Sequence, residues 1–162
     1  KLNLLFIVPV LLSSCSFRET KIALSCNVEQ ITETDFFIDN QFSSSSTEKQ
    51  LLTYEFLLNT EKEKVKIVVP GGMGDSDFSI YLITESWAND KIFASVPKQM
   101  LNNGPGSNKI TWKFMINRKN LTIEEVWRRD RDFDPSNPVD SLSIKKGKGA
   151  CTSIAYPSED TN

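Results

Sequence analysis

The sequence predicts a mainly β protein: an antiparallel sandwich or small barrel of about eight strands behind an N-terminal signal helix. Three observations carry this. Apolar residues recur at every second position in short runs, most cleanly at Ile110, Trp112, Phe114 and Ile116, which is the period of a half-buried strand. Turn-forming clusters separate the runs, among them residues 59–62, 102–106 and 117–120,. After residue 14 there is no long apolar repeat of helical period,.

The chain opens with Lys1, an apolar run over residues 2–12 interrupted only by Asn3, then Ser13, Ser14 and Cys15. A basic start, a short apolar run and small residues before a cut make an export signal. The run is too short to span a bilayer, which takes about 20 apolar residues. Leu12-Ser13-Ser14-Cys15 resembles the lipobox of bacterial lipoproteins. That resemblance implies cleavage before Cys15 and lipid on Cys15, hence a membrane partner reached through that lipid. One acyl chain holds a protein only marginally, and the lipoprotein family attaches several. Ser16, rather than aspartate, follows the cysteine, which by the enteric pattern leans towards the outer membrane. The expected organisation is a signal peptide over 1–14, a lipid-anchored tether over 15–20, a single β domain over 21–157 and a polar tail over 158–162.

Within the domain, Ile22, Leu24, Cys26 and Val28 alternate with smaller or polar residues and predict a first strand, with Cys26 facing inward,. Residues 34–39 predict a second short strand, and Phe42 with the four serines after it predicts a polar loop. Leu52, Tyr54, Phe56 and Leu58, the turn at 59–62, then Val65, Ile67 and Val69 predict a hairpin,. Residues 70–77 predict a turn. Its three glycines lack the Gly-Lys-Ser/Thr ending of a phosphate loop, and Asp75 would repel phosphate,. Phe78, Ile80 and Leu82 alternate on the next strand. Tyr81 and Ile83 make its other face apolar too, which predicts a covered sheet. A turn at 85–90 carries Trp87, and Ile92, Ala94 and Val96 return. The strand at 110–116 then turns into residues 121–127. There the alternation breaks at Glu124-Glu125, predicting a bulge or, in competition, a short helix over 123–129. Leu142 and Ile144 mark a strand, Gly147-Lys148-Gly149 a turn, and residues 151–156 the last strand. Ile116-Asn117-Arg118 and the ending Gly147-x-Gly149-x-Cys151 resemble small exported cyanobacterial proteins of unknown function. That resemblance carries no activity.

Composition narrows the function. The net charge of −2 argues against nucleic acid as a partner,. There is no histidine among the 162 residues, which removes Ser-His-Asp and Cys-His nucleophiles, histidine zinc sites and imidazole acid–base chemistry. Apart from Cys15, Cys26 and Cys151 remain. In an exported chain an even pair reads as a disulfide. A redox pair, without Cys-x-x-Cys spacing, and two free buried thiols are the alternatives. Asp130, Asp132 and Asp134, followed by Asn137 and Asp140, alternate as calcium ligands can. Counting from Asp130, however, the sixth and twelfth positions hold Pro135 and Ser141, where an EF-hand needs Gly and Glu. No metal and no cofactor are therefore expected. Glu124, Glu125 and Asp130 are the carboxylates a glycoside hydrolase would pair. Trp87 and Trp127 are candidates for stacking on a ligand, while Trp112 belongs to an apolar set. The expected function is a non-catalytic envelope lipoprotein whose β domain binds a protein or carbohydrate partner or serves a structural role at the membrane surface. The alternatives are a carboxylate-dependent hydrolase of envelope carbohydrate and a lipocalin-like small-molecule carrier.

Overall fold

The computed structural model describes residues 20–73, 76–98, 110–130 and 139–157, with 70–73 and 76 as backbone alone. The leader, Cys15, Asp132, Asp134, Asn137 and the polar tail lie outside the described residues. Eight antiparallel strands follow one another around a closed barrel: β1 (Lys21–Ile38), β2 (Gln41–Asn59), β3 (Lys64–Met73), β4 (Ser76–Trp87), β5 (Lys91–Ser95), β6 (Ile110–Asn117), β7 (Thr122–Arg129) and β8 (Val139–Ile154). Each strand pairs with its neighbours in sequence, and β1 pairs with β8 to close the ring. Over the barrel itself closure removes the edges that an open sheet would carry, whereas β2 meets β3 only over Glu55–Asn59.

The predicted alternation becomes the barrel interior. Leu24, Cys26 and Val28, then Tyr54, Phe56 and Leu58, then Val65 and Ile67, and onward to Phe114, Ile116 and Ile123, all point inward and are buried. Phe56 and Phe114 meet edge-on across the interior at 5.4 Å between centroids, and Tyr54 lies 6.1 Å from Phe114. These rings fill the centre of the barrel. The predicted disulfide is present: Cys26 and Cys151 face each other directly across β1 and β8 and are bonded.

Four local expectations are corrected. Residues 34–39 and the serine run are not a separate strand and a loop. They continue β1 and β2 as one long hairpin, turned at Asp39 and Asn40 with φ of 49° and 65°. Two successive positive φ values are what a tight hairpin turn needs, and Asp and Asn tolerate them. The serines form strand because β1 supplies their backbone partners, and their side chains stay exposed. At about 3.3 Å per residue, β1 is about 60 Å long and projects well past the barrel. Residues 70–77 are likewise mostly strand: β3 runs to Met73 and β4 starts at Ser76. The second face of β4 is not covered; Tyr81 and Ile83 are exposed.

Gly147-Lys148-Gly149 is the fourth. It is the middle of the unbroken strand β8 rather than a turn. The glycines are there for close approach. A Cβ on Gly149 would strike the backbone carbonyl of Asn27, and one on Gly147 would come within 2.5 Å of the Glu125 carboxylate. Because backbone blocks the first and side chains the second, Gly149→Ala is expected to part β1 from β8. It should lower stability by about 1–3 kcal/mol, read as a fall in the urea midpoint.

Candidate functional site

The break at Glu124-Glu125 is neither bulge nor helix. β7 keeps regular register with both β6 and β8 through this segment, so adjacent residues face opposite ways. Glu124 points outward and pairs with Lys148 at 3.2 Å. Glu125 points inward and is 2% exposed. The two carboxylates therefore cannot flank one sugar. Asp130 pairs with Arg128 at the end of β7, and no metal-binding group of three acidic or cysteine side chains occurs among the described residues.

Glu125 anchors a polar knot inside the barrel. Oε1 accepts from Gln30 Nε2 at 2.6 Å and from the Tyr54 hydroxyl at 3.3 Å, and Oε2 accepts from Trp112 Nε1 at 2.9 Å. Gln50 donates in turn to Gln30 Oε1. Trp112 is accordingly half-buried rather than fully in the core, with its ring packed on Phe114 and its N–H on the carboxylate. Gly147 lies opposite Glu125 across β7 and β8 and leaves the space it occupies. Every oxygen of this carboxylate is already bonded, so the cluster acts as a structural plug. Burial first, then the field of Glu125 and the bond to its carboxylate, push the Tyr54 phenol far above the ordinary 10.0; Gln30 pulls it weakly the other way. With its folded pKa raised, Tyr54 contributes stability that is intact below pH 10.0 and lost as pH rises further, because only the unfolded chain then releases the proton. Tyrosinate absorbance from Tyr54 should therefore appear only with loss of β structure by circular dichroism, and Tyr54→Phe should remove that late component.

The two tryptophans proposed for stacking lie on different parts of the barrel. Trp127 on β7 faces Lys145 of β8, whose ammonium sits 5.0 Å from the ring centroid. Trp87 ends β4 at the end of the barrel where the chain enters, packed on the core and under the Arg118 guanidinium at 5.3 Å. Arg118 Nη2 is held by the carbonyls of Ala88 and Asn89. Each ring carries a cation over one face. Around Trp87 there is nevertheless an open groove of about 640 Å³, lined by Thr20, Ile22, Thr60, Glu61, Glu63, Asn89 and Arg118. Apart from Thr20, which precedes β1, its polar lining comes from turns between strands, which the alternating pattern does not mark. Trp87 is the signal in the sequence, but the turn expected over 85–90 is shorter: residues 85–87 belong to β4 and only 88–90 link it to β5.

No family model, curated protein or solved structure matches this chain.

Proposed function

We propose that this chain is an exported envelope lipoprotein, held by lipid on Cys15, whose barrel is a non-catalytic binding module for a polar envelope ligand of the carbohydrate class. The groove over Trp87 carries the binding reading. Thr20 and Ile22 line it, and the five residues from Cys15 to Thr20 reach at most about 18 Å. An anchored barrel would therefore hold this groove at the level of the membrane surface. Its guanidinium, amide, hydroxyls and carboxylates offer the donors and acceptors that orient a hydroxylated ligand. The disulfide supports export, since such bonds persist in oxidising compartments,. The ring-filled interior favours a ligand outside the barrel over a carried one. The split orientation of Glu124 and Glu125 speaks for binding over hydrolysis.

Two measurements test this. Metabolic labelling with a palmitate analogue should mark the wild type and not Cys15→Ala; unlabelled wild type, soluble outside the cell, would remove the anchor. Titration with soluble peptidoglycan fragments should move the NMR signals of the Asn89 amide and Arg118 Nε. Shifts absent at both groups would remove the groove reading.

A further inference from the structure

Tyr81 and Ile83 of β4 stand in the open at 64% and 52% exposure, and their neighbours are lysines. Burial of Val65, Ile67, Ile80 and Leu82 turns Lys64, Lys66, Tyr81 and Ile83 outward. Strand register sets two adjacent rows around the outside of the barrel. One runs Lys21, Asn59, Lys64, and the next runs Ala23, Leu57, Lys66, Tyr81. The β2–β3 turn brings Lys62 back beside them, its backbone N–H donating to Asn59 Oδ1 at 3.0 Å. Lys21, Lys62, Lys64 and Lys66, with Tyr81 and Tyr156, border a hollow of about 190 Å³. The Lys66 ammonium lies 5.9 Å from the Tyr81 ring centroid, and that of Lys21 lies 5.5 Å from the Tyr156 centroid.

Acidic residues outnumber basic ones in this chain, 21 to 19, yet among the described residues no carboxylate lines the hollow. Glu61 and Glu63, from the same turn as Lys62, line the Trp87 groove instead. Lys62, Lys64 and Lys66 make no ion pair among the described residues. Like charges gathered in this way repel one another, and an anion set between them relieves the repulsion. We propose that this face of the barrel docks on an anionic bilayer, with its lysines on lipid phosphates and Tyr81, Tyr156 and Ile83 at the headgroup boundary. Exposed apolar side chains beside the cations favour a bilayer over a soluble phosphate, which would leave them in water. Lysine and tyrosine both join an apolar body to a polar tip and settle at headgroup level. Lys21 also follows Cys15 by six residues, a reach of at most about 22 Å, so an anchored barrel carries this face beside the lipid. The choice of a bilayer rests on the anchored reading; the cluster of cations does not.

Partition of the full chain into sucrose-loaded vesicles, read by sedimentation, tests this. Vesicles of phosphatidylcholine alone are compared with an equal mixture of phosphatidylcholine and phosphatidylglycerol. A leader or a lipid anchor contributes to both, so the ratio of the two partition coefficients reports the charged face. The wild type should prefer the anionic vesicles at low salt and lose that preference at high salt. Lys62→Gln/Lys64→Gln/Lys66→Gln should lower the ratio about 100-fold, or about fivefold per lysine. Lys49→Gln/Lys146→Gln/Lys148→Gln removes the same charge further along β2 and β8 and should change it little. Both variants should keep the wild-type circular dichroism spectrum, because all six side chains face solvent. A wild-type ratio near one, or equal losses in the two variants, would overturn the proposal. So would soluble glycerol phosphate that shifts the three lysine Nζ signals as far as anionic vesicles do, since the hollow would then be a site for a free phosphate. The palmitate label reports the anchor separately: a labelled protein without anionic preference removes this face alone.

Discussion

Cys26→Ala/Cys151→Ala is expected to lower stability by about 2–5 kcal/mol, a large part of what a domain of this size has. The bond joins the first strand to the last across 125 residues, so it constrains nearly the whole unfolded domain. The chain-entropy estimate for such a loop is about 4.7 kcal/mol or slightly more. The native side loses little, because the ladder from Ala23–Ile154 to Ile38–Val139 still closes the barrel. The change therefore acts mainly on the unfolded ensemble. The urea midpoint should fall and the m-value should rise, since a chain without the cross-link exposes more surface when it unfolds. Reductant should reproduce both changes in the wild type and neither in the variant. An unchanged midpoint would mean that strand pairing alone sets the stability of closure.

The legible part of this molecule is where one face of a strand is buried. Val65, Ile67, Phe114 and Ile116 alternate with polar neighbours because the barrel has an inside and an outside, and they fall where the pattern puts them. The inward cysteines are legible for the same reason. Residues 42–49 were illegible because a strand extending beyond the core has no buried face to leave a period of two; four serines look like loop when the partner strand is their only support. Gly147 and Gly149 resemble a turn by composition, whereas their need is steric: Asn27 and Glu125 come too close for a Cβ. Glu125 broke the alternation because it occupies an inward position where an apolar residue was expected. Tyr54, Trp112 and Gln30, the residues that satisfy it, come from three other strands. No local pattern encodes that meeting. The Trp87 groove was half legible, through Trp87 at the end of β4, but the cation on that ring, Arg118, comes from the β6–β7 turn and the one on Trp127, Lys145, from the neighbouring strand β8, and no local pattern encodes either meeting.

Glu125→Ala should destabilise the barrel by about 3–5 kcal/mol, because it strips the acceptor from three donors that remain inside. Gln30 Nε2, the Tyr54 hydroxyl and Trp112 Nε1 all end on this one carboxylate, and each buried donor left unpaired costs about 1–3 kcal/mol. Glu125→Gln keeps the shape but turns one acceptor into a donor facing donors, so it should cost less than alanine and more than a surface change. If the knot is a plug, replacing it whole should be mild: Glu125→Leu with Gln30→Leu and Tyr54→Phe should recover much of what Glu125→Ala loses, measured by urea denaturation. The steric side of the same argument gives a second reading. A Cβ on Gly147 meets Glu125 Oε1 at 2.5 Å and Cγ at 2.6 Å. Those two obstacles vanish in Glu125→Ala, leaving Val28 as the contact. Gly147→Ala should therefore cost at least about 1 kcal/mol less in the Glu125→Ala background than in the wild type, a coupling typical of touching residues. Additive costs would mean that Gly147 is small for a reason other than the carboxylate opposite it.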